Sequence, residues 1–189
     1  MKEIEILVQI LSSKNKALKQ LQGFKFLGSK KTLDVYYYDP LRQELKPEKD
    51  NRLRACFRLR QKDRHCFMAY KKDVFDKKDK WLHSEEHEIK ISDLRTAENI
   101  IEHLGLKTLV EIDNLKHTYQ YKNFEIVLEE VKNLGLFLEV EVKKVKDNEK
   151  VKDVKEKIWQ FIKSLNIEMG EELSAGKPEL MLNKNALIN

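Results

Sequence analysis

Glycine and proline are scarce in this chain, six and three among 189 residues, and no Pro/Gly/Ser-rich stretch interrupts it. That scarcity argues against an internal linker, and the length suffices for one well-buried core but is short for two, so a single domain over residues 1–189 is expected. No apolar run approaches the ~20 residues of a membrane span, and an opening with Glu3 and Glu5 among its first five residues lacks the positive-then-apolar layout of a signal peptide. The expectation is a cytoplasmic protein without membrane contact. Its two cysteines, Cys56 and Cys66, read in that compartment as buried small residues rather than a disulfide. Five scattered histidines lack the close spacing of zinc ligands. Neither G-x-x-x-x-G-K-S/T nor G-x-G-x-x-G occurs, so phosphate chemistry here uses neither a P-loop nor a Rossmann turn.

Charge, by contrast, is abundant and mixed: 37 Lys and Arg stand against 32 Asp and Glu, a net +5. The basic residues are interleaved with glutamates and form no purely basic block, which fits a small anionic ligand and disfavours nucleic acid.

Period-2 alternation predicts strands near Lys2–Ile10, Leu33–Asp39, Ala55–Lys62, Phe67–Asp73, Glu85–Ile91, Val110–Tyr121, Phe124–Val131 and Phe137–Val145. Helical patterns cover Lys14–Gln22, Leu94–Leu104 with Ser92 and Asp93 as capping candidates, and Val151–Leu165. Pro40–Arg52 reads as a mobile loop, and the C-terminus as irregular around a small apolar anchor, Leu180 to Leu182.

The strands share a peculiarity. Ile4, Ile6, Val8 and Ile10 occupy one face of the first, opposite Glu3, Glu5, Leu7 and Gln9. The same division sets Arg58, Arg60 and Lys62 on one face, and likewise Glu86, Glu88 and Lys90, Glu125 and Glu129, and Glu139, Glu141 and Lys143. For one strand a solvated outer face is sufficient explanation. Taken together, the amphipathic helices need apolar surface to lie on, and they find it if the apolar faces point outward. The predicted fold is therefore α+β, mainly β: an eight-stranded antiparallel closed barrel with a polar interior, flanked by helices. A wet lumen of arginines, lysines and glutamates suits a polyanion with a hard cation, since Arg forks phosphate oxygens and clustered carboxylates take Mg²⁺ or Mn²⁺.

The N-terminal E-x-E, LDVYYYDP, FRLR, the lone Tyr70–Lys71, EHEIKISD and LEEVKNLGLFLEVEV, in this order, resemble the CYTH or triphosphate tunnel metalloenzyme superfamily, and within it class IV adenylate cyclase-type proteins. The resemblance runs from Glu3 to the KPELML near the end. It implies an eight-stranded tunnel, a nucleoside, organic or inorganic triphosphate substrate, Mg²⁺ or Mn²⁺, and either cyclisation of ATP or triphosphate hydrolysis, in a monomer or homodimer. By position it implies that Arg58, Arg60, Lys71 and Lys116 bind the triphosphate, that Glu3, Glu5, Lys71, Glu86 and Glu88 serve catalysis, and that Glu5, Glu129, Glu139 and Glu141 carry metal. Three positions depart from the family pattern: Leu7 stands at the lysine of E-x-E-x-K, Asn114 at the first basic position of a K-x-R pair, and Glu129 where aspartate is usual. Each lost cation costs the phosphate grip ~1.5–3 kcal/mol, with Lys62, Lys90 and Lys143 as candidates to compensate. The rival expectation is a non-catalytic tunnel that still binds polyphosphate or nucleotide.

Overall fold

The structure is a computed structural model that describes residues 2–78, 81–145 and 149–186, with side chains from Ile4 onward. The chain runs β1 (Lys2–Glu3), β2 (Glu5–Ile10), α1 (Lys14–Leu21), β3 (Lys25–Tyr38), β4 (Ala55–Lys62), β5 (His65–Phe75), β6 (Trp81–Ile91), α2 (Leu94–His103), β7 (Lys107–Tyr121), β8 (Phe124–Val131), β9 (Gly135–Val142), α3 (Val151–Ser164), β10 (Met169–Glu172) and α4 (Lys177–Ala186). The strands form one antiparallel sheet in the order β1-β6-β5-β4-β3-β7-β8-β9-β2-β10.

This is an open half-barrel, not the closed eight-stranded barrel expected from the sequence. The reason lies at Ile4, where the N-terminal strand splits. Lys2 and Glu3 pair with Glu85 and Ser84 of β6, whereas Glu5 to Gln9 pair with Glu141 to Phe137 of β9. One residue thus carries the chain from one end of the strand order to the place next to the other end, and no continuous ladder crosses that step.

The apolar faces point outward as expected. Ile4, Ile6, Val8 and Ile10 pack with Ile126, Leu128, Leu138 and Val140 from β8 and β9, and the stripe Val154, Ile158 and Ile162 of α3 covers them. Ala17 and Leu21 of α1 join the same cluster. On the far side Ile101 of α2 lies on Tyr37 and Leu59. Each fully buried aliphatic side chain of this kind contributes about 1.5–3 kcal/mol, so the helices hold the outer wall and leave the inner face to polar groups.

Other differences from the sequence expectation concern what lacks alternation. β3 starts at Lys25, eight residues early, because β7 offers a partner along its whole length and a register shift at Gly28 (φ 132°) absorbs the irregular KFLGSKK. The C-terminus is regular: β10 adds to the edge of β2, and α4 follows. Pro40–Arg52 contains a 3₁₀ turn, Gln43–Leu45, with Leu45 buried. Cys56 and Cys66 are half-buried free thiols. Among the described residues no helix is long and apolar enough to cross a membrane.

Candidate functional site

The inner face encloses a cavity of about 280 Å³. Strand alternation delivers its wall: Glu5 from β2, Asp34 and Tyr36 from β3, Arg58 and Arg60 from β4, Lys71 and Asp73 from β5, Glu86 and Glu88 from β6, Asn114 and Lys116 from β7 and Glu139 from β9.

Register decides who meets whom. Asp34 and Arg60 are cross-strand partners, and Arg60 donates from Nε and Nη2 to the two Asp34 carboxylate oxygens at 2.6 and 2.7 Å. Burial works to raise the Asp34 pKa, but the guanidinium fork outweighs it and holds the carboxyl at about 2. Arg58 donates from Nη2 to Glu86 at 2.7 Å and lies 3.5 Å from Glu88. Its Nε is buried without a hydrogen-bond partner among the described residues. Lys71 donates to Glu5 at 3.3 Å.

A second cluster centres on Glu129, whose side chain is fully buried. It lies 2.9 Å from the Lys116 ammonium and accepts from Lys177 at 2.8 Å and from Asn114 Nδ2 at 3.4 Å. Thr32 in turn donates to Asn114 Oδ1. Lys177 also donates to Glu139 at 2.6 Å. Burial opposes the charge on Lys177, but Glu129 and Glu139 overcome it and raise its pKa; burial likewise opposes Glu139, which Lys177 and Lys116 hold well below the usual carboxylate range. Leu7, the cross-strand partner of Glu139, sits instead in an apolar cluster with Phe137, Val131 and Met181 of α4. The cation beside Glu139 thus comes from α4 rather than from β2.

Of the residues singled out in the sequence, the structure places Glu5, Arg58, Arg60, Lys71, Glu86, Glu88, Lys116 and Glu139 on the cavity wall. Glu129 lies buried behind it, and the Glu3 side chain is outside the described residues. Glu141 shares a rung with Glu5 on β2 and Glu125 on β8. Among the described residues no three acidic, His or Cys groups converge closely enough to hold a metal by themselves. Mg²⁺, however, is normally held by one or two carboxylates together with substrate phosphate oxygens and water, and the carboxylate rung of Glu5 and Glu141, with Glu139 two residues away, fits an ion arriving with a polyphosphate.

Four charged lining residues escaped the sequence reading: Asp34, Asp73, Lys177 and Glu179. Pro178 in the first turn of α4, following Gly176, is the signal that could have exposed the helix. Glu179 is buried there and accepts from the backbone N–H of Leu53 at 2.9 Å and from that of Gly176. Burial pushes its carboxyl up to about 7 despite those two donors, and Asp73 nearby adds to the shift.

The model of the CYTH domain family matches residues 1–175. A Methanocaldococcus jannaschii protein, provisionally named an adenylate cyclase, is 37% identical over 168 residues, 87% of this chain and 90% of its own. A Pyrococcus horikoshii OT3 protein of solved structure superposes with a TM-score of 0.81 at 24% identity, covering 96% of this chain and 99% of its own. A Hippeastrum protein, provisionally named an adenylyl cyclase and described as having a dominant triphosphatase activity, superposes with a TM-score of 0.64 at 16% identity, over 97% of this chain and 96% of its own.

Proposed function

Because the chain belongs to the CYTH domain family, we propose that it is a divalent-metal-dependent enzyme acting on a triphosphate held in the inner cavity. The observation that carries this is the arginine strand: Arg58 and Arg60 project side by side into the cavity, and Arg58 keeps a buried Nε with no hydrogen-bond partner among the described residues. A guanidinium forks phosphate oxygens in two parallel hydrogen bonds, which a lysine cannot imitate. Lys71 and Lys116 neutralise the remaining phosphate charge. Glu139 and Glu141, with Glu5, would hold Mg²⁺ or Mn²⁺, and the ion when bound withdraws charge from phosphate oxygens.

Two reactions suit this wall. In hydrolysis, water attacks the terminal phosphorus, and pyrophosphate leaves from tripolyphosphate or the diphosphate from an organic triphosphate; Glu86 and Glu88, beside Arg58, would orient that water and accept its proton. In cyclisation, the 3′-hydroxyl of ATP attacks the α-phosphorus and pyrophosphate leaves. Either way the protein contributes positioning and charge stabilisation. Hydrolysis is the reading we favour: of the two described aromatic side chains on the lining, Tyr36 is buried and Trp81 carries the Lys155 ammonium 4.4 Å from its ring centre. The cyclase reading is supported by the name of the 37% identical relative.

The test is incubation with Mn²⁺ and either tripolyphosphate or ATP, following orthophosphate, pyrophosphate and cyclic AMP. Orthophosphate identifies a triphosphatase, cyclic AMP with pyrophosphate a cyclase, and binding without turnover a non-catalytic tunnel. Arg58→Ala should weaken tripolyphosphate binding at least about tenfold, the size of one charge-assisted contact. Unchanged affinity in a folded Arg58→Ala variant sinks the proposal.

A further inference from the structure

The interleaving of opposite charges lapses over one stretch. Between Glu5 and Asp34 the chain has no acidic residue, yet it carries Lys14, Lys16, Lys19, Lys25, Lys30 and Lys31. The later part of this stretch, Lys25–Lys31, begins β3 and is paired on one side only. β7 runs along it from Gln120 to Leu115, whereas the β4 ladder on the other side begins at Thr32, opposite Lys62. Besides the β7 ladder, no backbone hydrogen bond reaches it among the described residues. Every residue of it except Gly28 is exposed. Phe26 lies opposite Tyr119, with ring centres 5.1 Å apart, and is still 54% exposed; Leu27, at the register shift before Gly28, is 42% exposed. Lys25 and Lys31 flank these two and form no ion pair among the described residues. Lys30 shares the rung of Lys116 and is left to the cavity.

An edge strand presents a row of unpaired N–H and C=O groups, and soluble proteins blunt such edges with lysines and bulges. Both devices are present here, but so are two exposed apolar side chains, which blunting alone does not call for. The lysines also select among partners. A second copy pairing along the same edge would bring lysine against lysine, and like charges directly opposite destabilise a ladder. A lipid surface would take Phe26 and Leu27 but leave the backbone edge in a medium without donors or acceptors. Nucleic-acid phosphates would accept from the lysines and the N–H groups and leave the C=O groups to water. An extended peptide meets both kinds of backbone group, and carboxylates on it meet Lys25 and Lys31. We propose that Lys25–Lys31 is a docking edge that takes an extended acidic segment of a partner protein as an added strand, with an apolar residue of that segment lying on Phe26 and Leu27.

The experiment is calorimetric titration of a capped peptide of alternating glutamate and valine, as long as the open edge, into the full chain. Saturating tripolyphosphate is present so that the cavity does not compete for the carboxylates, and the ionic strength is fixed because surface cations are screened by salt. Amide exchange is followed in the same mixtures. The glutamate peptide should bind at least about tenfold more tightly than its lysine–valine counterpart. It should also slow exchange in Lys25–Lys31 while Ala55–Lys62 is unchanged. The double variant Lys25→Glu/Lys31→Glu should reverse the preference between the two peptides; both side chains are exposed, so the fold does not depend on them. Absence of binding, equal binding of both peptides, or binding without slower exchange in Lys25–Lys31 overturns the docking edge, the last by reducing it to charge attraction. Exchange there that slows with protein concentration alone overturns it in favour of a second copy. Slowing by a short single-stranded RNA or by phosphatidylserine vesicles, but not by the peptide, overturns it in favour of those surfaces.

Discussion

Two buried carboxylates of one cavity, Asp34 on the sheet wall and Glu179 on the C-terminal segment, are driven in opposite directions, one down to about 2 and the other up to about 7. Both pay for burial. Asp34 receives a full guanidinium in return, whereas Glu179 receives two backbone N–H groups and a neighbouring carboxylate, Asp73. The wall is therefore a set of ion pairs fixed by strand register. The segment from Leu173 to Ala186 carries one strong ionic anchor to the wall, Lys177, and one weakly compensated charge.

The harshest way to break that contrast is Asp34→Ala. Arg60 then keeps its buried charge without a partner, and removing one member of such a pair costs about 3–5 kcal/mol, measurable by urea denaturation at neutral pH. A loss below about 1 kcal/mol would mean that water already solvates Arg60.

Next comes pH. Asp34 has a depressed folded pKa, so its stabilisation is present above its ordinary value of 3.8 and is lost as pH falls toward about 2. Glu179 has the opposite sign: its folded pKa of about 7 exceeds the ordinary 4.5, the folded state binds more protons between those values, and stability falls as pH rises through that window. The Glu179 contribution is on the order of 3 kcal/mol, and Glu179→Gln should flatten the pH dependence of unfolding between about 4.5 and 7. An unaltered slope would assign it to other groups.

The smallest effect expected is that of Lys177→Met, about 2 kcal/mol, because Lys116 remains on Glu129 and its charge still acts on Glu139 when the second ammonium goes. Its signature is local: amide exchange should accelerate in Lys177–Ala186 while Ala55–Lys62 stays protected. Equal acceleration in both elements would make the helix an integral part of the wall.

The same contrast governs what the sequence discloses. Ala55–Lys62 and Phe124–Val131 are recognisable to the residue because each alternates cleanly and one face must go to the helices. The wall residues follow, since parity alone sends Arg58, Arg60 and Lys116 inward. Met169–Glu172 carries no alternation; it is a strand because β2 leaves an edge to pair with. Lys177 acquires its place through contacts 38 and 48 residues away, and Asp34 through a guanidinium 26 residues on. Such partners are set by register and docking, neither of which is written in a local pattern. The closed barrel was expected for a related reason: nothing in MKEIEILVQI announces that its pairing changes partners at Ile4.

That change of partners also sets a timetable for synthesis. β2 is among the most apolar strands, yet its ladder mate β9 lies about 130 residues later, its other neighbour β10 later still, and β1 waits for β6. A nascent chain therefore carries Ile4, Ile6, Val8 and Ile10 unpaired until nearly the whole sheet has been translated, and pairings of such sequence separation form slowly. Throughout that interval the hydrophobic N-terminal strand is exposed to aggregation.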